Sequence, residues 1–201
     1  STNKVGVCHF GFLPMGQAST ILTDLSAVQH PDLRRFLAYW QDKRQGRWMP
    51  ARRDVDPLEF SWILGRVSLV EVAEEEPRFR YRLLASTLAD HLGYEVTGRS
   101  TADIPEPEMR AYVEGQYFRV TESRLPHADR GDMLLDGRLW RSETLYLPLS
   151  ADDGRVDMIL VARITDRPRR PRHLLMNEAG PLGKPAPGAA ASAQPAQRSP
   201  V

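Results

Sequence analysis

Met133-Leu-Leu-Asp-Gly-Arg-Leu-Trp-Arg-Ser-Glu-Thr-Leu-Tyr-Leu-Pro-Leu-Ser-Ala-Asp-Asp-Gly-Arg-Val-Asp-Met-Ile-Leu-Val-Ala-Arg-Ile164 decides the fold class. Asp136-Gly137 separates Met133 to Leu135 from Leu139 to Leu149, and Asp152-Asp153-Gly154 separates that run from Val156 to Ile164. Aspartate followed by glycine between apolar runs marks a hairpin, because glycine enters positive φ without a Cβ clash. Three successive antiparallel strands are predicted. In the last, Val156, Met158, Leu160, Ala162 and Ile164 share one face, and Ile159 and Val161 lie on the other. Apolar residues on both faces predict a central strand.

Towards the N-terminus, Met109, Tyr112, Val113, Tyr117 and Val120 fall at helical spacing after Pro105 and Pro107. Ser86 opens a short helix, Leu88 to Leu92, that Gly93 closes. Phe79, Tyr81 and Leu83 alternate with Arg78, Arg80 and Arg82, predicting a strand paired through the Glu74-Glu75-Glu76-Pro77 loop with Val67 to Val72. Leu33, Phe36, Leu37 and Trp40 make one apolar face of a helix from Pro31 to about Gln45, with Gly46 as its stop. Asp56 is placed to cap a second, short helix that starts at Pro57 and ends near Gly65, Glu59 completing a capping box. Helices, two strands, a helical middle and three strands define an α+β fold: an antiparallel sheet with helices on one face and an N-terminal helical extension.

Composition bounds the rest. With 201 residues and 41% hydrophobic content the chain is expected to build one core. Residues 1–29 lack periodicity and are expected to be an irregular arm, suited to a partner; 30–165 form the domain. Residues 166–201 are an Arg/Pro/Ala-rich tail, expected to be disordered because almost no large apolar side chain follows Leu182. That tail holds six basic residues against two acidic ones, so a formal charge of +1 overall leaves the body mildly acidic. Arg167 to His173 lacks interleaved aromatics, which argues for a solvated tail and against nucleic-acid binding. The lone Cys8 excludes an internal disulfide and fits a reducing compartment. Val5 to Met15 is too short and broken to span a bilayer or to serve as a signal peptide.

Tyr39 to Pro57 reads Tyr-Trp-x3-Arg-x2-Arg-x2-Pro-x-Arg-x-Asp-x-Asp-Pro. With Leu88-Ala-Asp-His-Leu-Gly-Tyr-Glu-Val-Thr-Gly-Arg-Ser100 and the Glu143 to Ser150 strand, it resembles a bacterial family of short single-domain Per-Arnt-Sim (PAS) proteins over about residues 30 to 165. The resemblance implies a five-stranded antiparallel sheet of strand order 2-1-5-4-3, helices over one face and a ligand cavity between them. It also implies cytoplasmic signalling through a homodimer or a protein partner in trans, and it carries no catalytic residues.

Each candidate site has two readings. Arg44, Arg47, Arg52, Asp54 and Asp56, framed by Trp40, Pro50 and Pro57, suit an anion or partner site, or pair among themselves to hold the turn; the second reading is preferred, and Trp40 and Trp48 are expected to be packing residues. A cavity would be lined by Tyr81, Leu83, Leu92, Tyr112, Tyr117, Leu145 and Met158. Its occupant is an unknown small molecule, with no cofactor predicted. His91, on the short helix, and His127, in a loop, are the sole candidates for a haem ligand and suit it poorly. Light-oxygen-voltage flavin chemistry needs a cysteine beside Gly98-Arg99, where Ser100 and Thr101 stand. Ser142-Glu143 lacks a nucleophile elbow and a histidine, and Glu74 to Glu76 lack the geometry of a metal site, so no enzyme is expected. The functional reading is a sensor or adaptor acting by binding; the alternative is a small-molecule carrier.

Overall fold

The computed structural model describes residues 18–87, 97–105, 107–135 and 138–165. The expected helix with Leu92 and His91, the Asp136-Gly137 turn, Cys8 and the tail lie outside the described residues. Antiparallel strands β1 (Ala18–Leu22), β2 (Val67–Val72), β3 (Phe79–Leu83), β4 (His127–Leu135), β5 (Arg138–Leu149) and β6 (Met158–Thr165) form one sheet in the order β1-β4-β5-β6-β2-β3. Its last five members reproduce the expected order, and β6 lies between β5 and β2 with both faces buried, as its doubly apolar pattern requires.

Strand β1 corrects the expectation for residues 1–29. Its residues pair one for one with β4, from Ala18 opposite Asp132 to Leu22 opposite Ala128. Five residues ending in adjacent Ile21 and Leu22 show no alternation, so the exposed edge of β4 creates this strand rather than any local pattern. β4 itself begins at His127, six residues ahead of the expected start. His127, Asp129 and Gly131 are polar or small on the inward face, and this hides the period from a hydrophobicity reading.

Helices α1 (Pro31–Lys43) and α2 (Pro107–Ser123) take opposite faces. In β5 the side chains of Glu143, Leu145 and Leu147 point one way, and Thr144 and Tyr146 the other. Glu143 accepts hydrogen bonds from the backbone N–H groups of Gln29 and His30 at the entry of α1, whereas Tyr146 packs edge-on against Tyr117 of α2. Helix α2 thus covers the face expected for the domain, and the N-terminal extension covers the reverse. Leu33, Phe36, Leu37 and Trp40 of α1 are all buried, each worth about 1.5–3 kcal/mol by removal from water. Trp40 also donates its Nε1 hydrogen to the Pro148 carbonyl at 2.9 Å, so its ring is fixed in position.

The helix expected from Pro57 to Gly65 is instead two 3-10 turns, Pro57–Phe60 and Leu64–Arg66. Asp56 does cap the first, accepting from Leu58 N at 3.0 Å. Glu59, however, turns away to accept from the Tyr39 hydroxyl at 2.9 Å and to pair with Lys43. Buried Phe60 and Ile63 lie three residues apart, which suits the tighter winding.

Candidate functional site

On the α2 face, the sheet and α2 line a partly open cavity of about 50 Å³. Register brings its polar residues into one row: Asp129 of β4 pairs with Thr144 of β5, which pairs with Arg163 of β6. Thr144 and Arg163 border the cavity together with Tyr81, Tyr112, Tyr117 and Tyr146. Asp129 lies behind them, fully buried. The Tyr112 hydroxyl donates to Asp129 Oδ2, and that of Tyr146 does so at 3.3 Å. Ser19 of β1 reaches the same oxygen at 3.5 Å. Next to this row, the Tyr117 hydroxyl donates to that of Tyr81 at 3.2 Å.

Burial pushes the Asp129 pKa up, against the Arg163 charge and the hydroxyls of Tyr112 and Tyr146. Burial likewise raises Tyr112, Tyr117 and Tyr146, which stay neutral phenols. Three polar atoms of the row, Asp129 Oδ1, Thr144 Oγ1 and Arg163 Nε, are buried without a hydrogen-bond partner. Groups left so normally cost about 1–3 kcal/mol each, and three in one row mark the most polar unsatisfied spot in the interior.

Of the residues expected to line a cavity, Tyr81, Tyr112 and Tyr117 do border it. Leu145 and Met158 lie on the reverse face, since Thr144, Tyr146, Val161 and Arg163 hold the inward parity. Leu83 is 43% exposed, because the register shift between Leu69 and Val70 breaks the alternation that Tyr81 obeys. Arg163 and Asp129 are not legible as cavity residues in the sequence, because charged residues at strand positions read as solvent-facing; their register opposite Thr144 is visible only once the strands are paired. His127, expected in a loop, is buried in β4 and stacked on Tyr146 at 4.7 Å between ring centres. Its Nε2 meets Gln116 Oε1 at 3.0 Å, and burial lowers its pKa to about 3, with a smaller push from the Arg119 charge.

In the Tyr39 to Pro57 turn the charged groups meet one another. Arg47 forms an ion pair with Asp54, which also accepts from Ala51 N at 2.8 Å, and these two contacts hold the Asp54 carboxyl below its usual range. Arg44 donates to the Arg47 carbonyl and Arg52 to that of Val55. The Pro50 carbonyl accepts from Ser150 N at 3.0 Å, stitching the turn to the end of β5. Trp48, expected to pack, is instead 68% exposed: its backbone N–H is bound by Asp153, which leaves the ring outside.

An antiparallel sheet with a cavity beneath one helix is the frame of a PAS-type sensory domain. The chain belongs to the PAS_5 family of PAS domains, whose profile matches residues 28–162. Among solved structures, the PAS domain from Bordetella pertussis BvgS is 22% identical, with 62% of this chain and 94% of that chain covered at a TM-score of 0.41. An RNA-binding Light-Oxygen-Voltage receptor is 13% identical, with 75% of this chain and 38% of that chain covered at a TM-score of 0.34. No curated protein matches the chain. Among the described residues no helix is long and apolar enough to cross a membrane.

Proposed function

We propose that this PAS domain is a bacterial cytoplasmic sensor or adaptor that acts by binding, and that occupancy of the cavity under α2 is read out at α1. The observation that carries this reading is the division of labour in two adjacent strands. Asp129 and Thr144 serve the cavity, and the next residues in each strand, Arg130 and Glu143, serve α1 from the reverse face. Glu143 binds Gln29 N and His30 N at 3.0 and 2.8 Å and Arg130 at 2.8 Å. A change of β4 or β5 on the cavity side therefore reaches the first turn of α1 through one peptide unit, in a packed interior where small shifts propagate.

Binding without catalysis is supported by the chemistry beside the cavity. The phenols of Tyr112, Tyr117 and Tyr146 have raised pKa values, and Ser142 faces the Gly131 carbonyl at 3.4 Å rather than a base. A homodimer or partner contact through the N-terminal extension completes the proposal. The apolar stripe of α1 is already buried on the sheet, so such a contact uses its outward polar face. Native mass spectrometry of freshly purified protein, followed by denaturing spectra, tests both points. A mass excess released on denaturation, carried by a dimer, is expected; a monomer without bound mass would contradict the reading.

A further inference from the structure

The row Asp129, Thr144, Arg163 has a chemical polarity that narrows what the cavity takes. At one end, Arg163 borders the cavity, and its guanidinium supplies N–H donors and no acceptor. At the other end, Tyr112 and Tyr146 both give their hydroxyl hydrogens to Asp129 Oδ2. A phenol whose hydrogen is engaged behind the wall presents its oxygen lone pairs to the cavity, so this end accepts. Thr144, whose hydroxyl is buried, lies between the two ends.

Charge is closed without help from an occupant. Asp129 stands two strands from Arg163 on the same row, and the other cation at the border, Arg66, has Asp32 at 4.0 Å. A ligand with net charge would upset this balance in a low-dielectric interior. A volume of about 50 Å³ admits only a few heavy atoms.

Resting on the cavity-sensing reading above, we propose that the site recognises a small, uncharged donor–acceptor group of the primary-amide type. Its carbonyl accepts from the Arg163 guanidinium, and its N–H groups donate to the phenolic oxygens of Tyr112 and Tyr146. Asp129 is a positioning residue: it never touches the ligand but holds both phenols in the accepting orientation.

The test is an NMR titration of the full chain, following the arginine Nε–H cross-peak that disappears in Arg163→Met. Four small probes separate the alternatives: acetamide, glycine, acetate and methylammonium, where saturation by the last at a lower concentration than acetamide would overturn the proposal in favour of a cation site. Acetamide is expected to move the Arg163 peak saturably. Tyr112→Phe, which keeps the ring and the charges, is expected to weaken acetamide about tenfold while the Arg163 peak persists, so loss of binding is not loss of fold. Saturation by acetate at a lower concentration than acetamide would overturn the proposal in favour of an anion site, and a response to glycine alone would overturn it in favour of a zwitterion site. Either result leaves the sensing reading standing. Silence of the peak to all four probes would overturn the amide class, and only the further absence of any co-purified mass would overturn the sensing reading as well.

Discussion

Burial between Gln116 and Tyr146 lowers the His127 pKa to about 3, while an unfolded histidine titrates near 6.5. Between those values the unfolded chain binds a proton that the folded one refuses. His127 therefore adds stability fully above pH 6.5, and this is lost on acidification by about 1.4 kcal/mol per pH unit. Asp129 runs the other way: its raised pKa favours the folded state at low pH and gives that stability up as pH rises. Comparing wild type with His127→Phe isolates the histidine, since both keep Asp129. Urea melts at pH 6.5 and 5 should show wild type losing about 2 kcal/mol more than the variant; equal losses would place the histidine outside the core. Glu143 is the matching residue on the reverse face. Burial raises its pKa, but the N–H groups of Gln29 and His30 and the Arg130 guanidinium outweigh this and lower it overall. Glu143→Gln should cost about 2 kcal/mol in a urea melt at pH 7, the usual worth of a charged hydrogen-bond acceptor.

Strand β1 and helix α1 differ in what makes them form. The buried i, i+3, i+4, i+7 stripe of α1 was legible in the sequence, as were β2, β3, β5 and β6, because each carries its period in its own residues. β1 was not, because its only definition is the edge of β4. A chain starting at Asp24 should therefore keep α1 but expose that edge. Amides of residues 128–132 are expected to exchange faster by mass spectrometry, and the shortened protein to associate at high concentration. Unchanged exchange there would show that β1 contributes no protection. The cavity was half legible for a related reason. Tyr81, Tyr112 and Tyr117 follow from simple alternation and helical spacing, whereas Leu145 and Met158 were placed by hydrophobicity on the wrong side of correctly identified strands. Parity on a doubly buried strand cannot be read from apolarity, since both faces are apolar. The charged pair that gives the cavity its chemistry emerges only from register across three strands.

Taken as a whole, the domain is a sheet with two coverings: α2 and the cavity beneath it on one side, α1 and the Tyr39 to Pro57 turn on the other. The turn holds itself through Arg47, Asp54 and Arg52 and is tied to the sheet through Pro50 and Ser150. On the proposed reading it clasps the C-terminal end of α1, and the response to an occupant falls at the N-terminal end, where Glu143 holds Gln29 and His30. The most direct test of coupling between the faces is hydrogen exchange on wild type and Val161→Phe, whose ring grows from β6 into the cavity and stands in for an occupant. The account predicts a several-fold change in exchange at the Gln29 and His30 amides, with Arg44 to Val55 unaffected. A response confined to α2 and the cavity strands, with Gln29 and His30 unmoved, would contradict it.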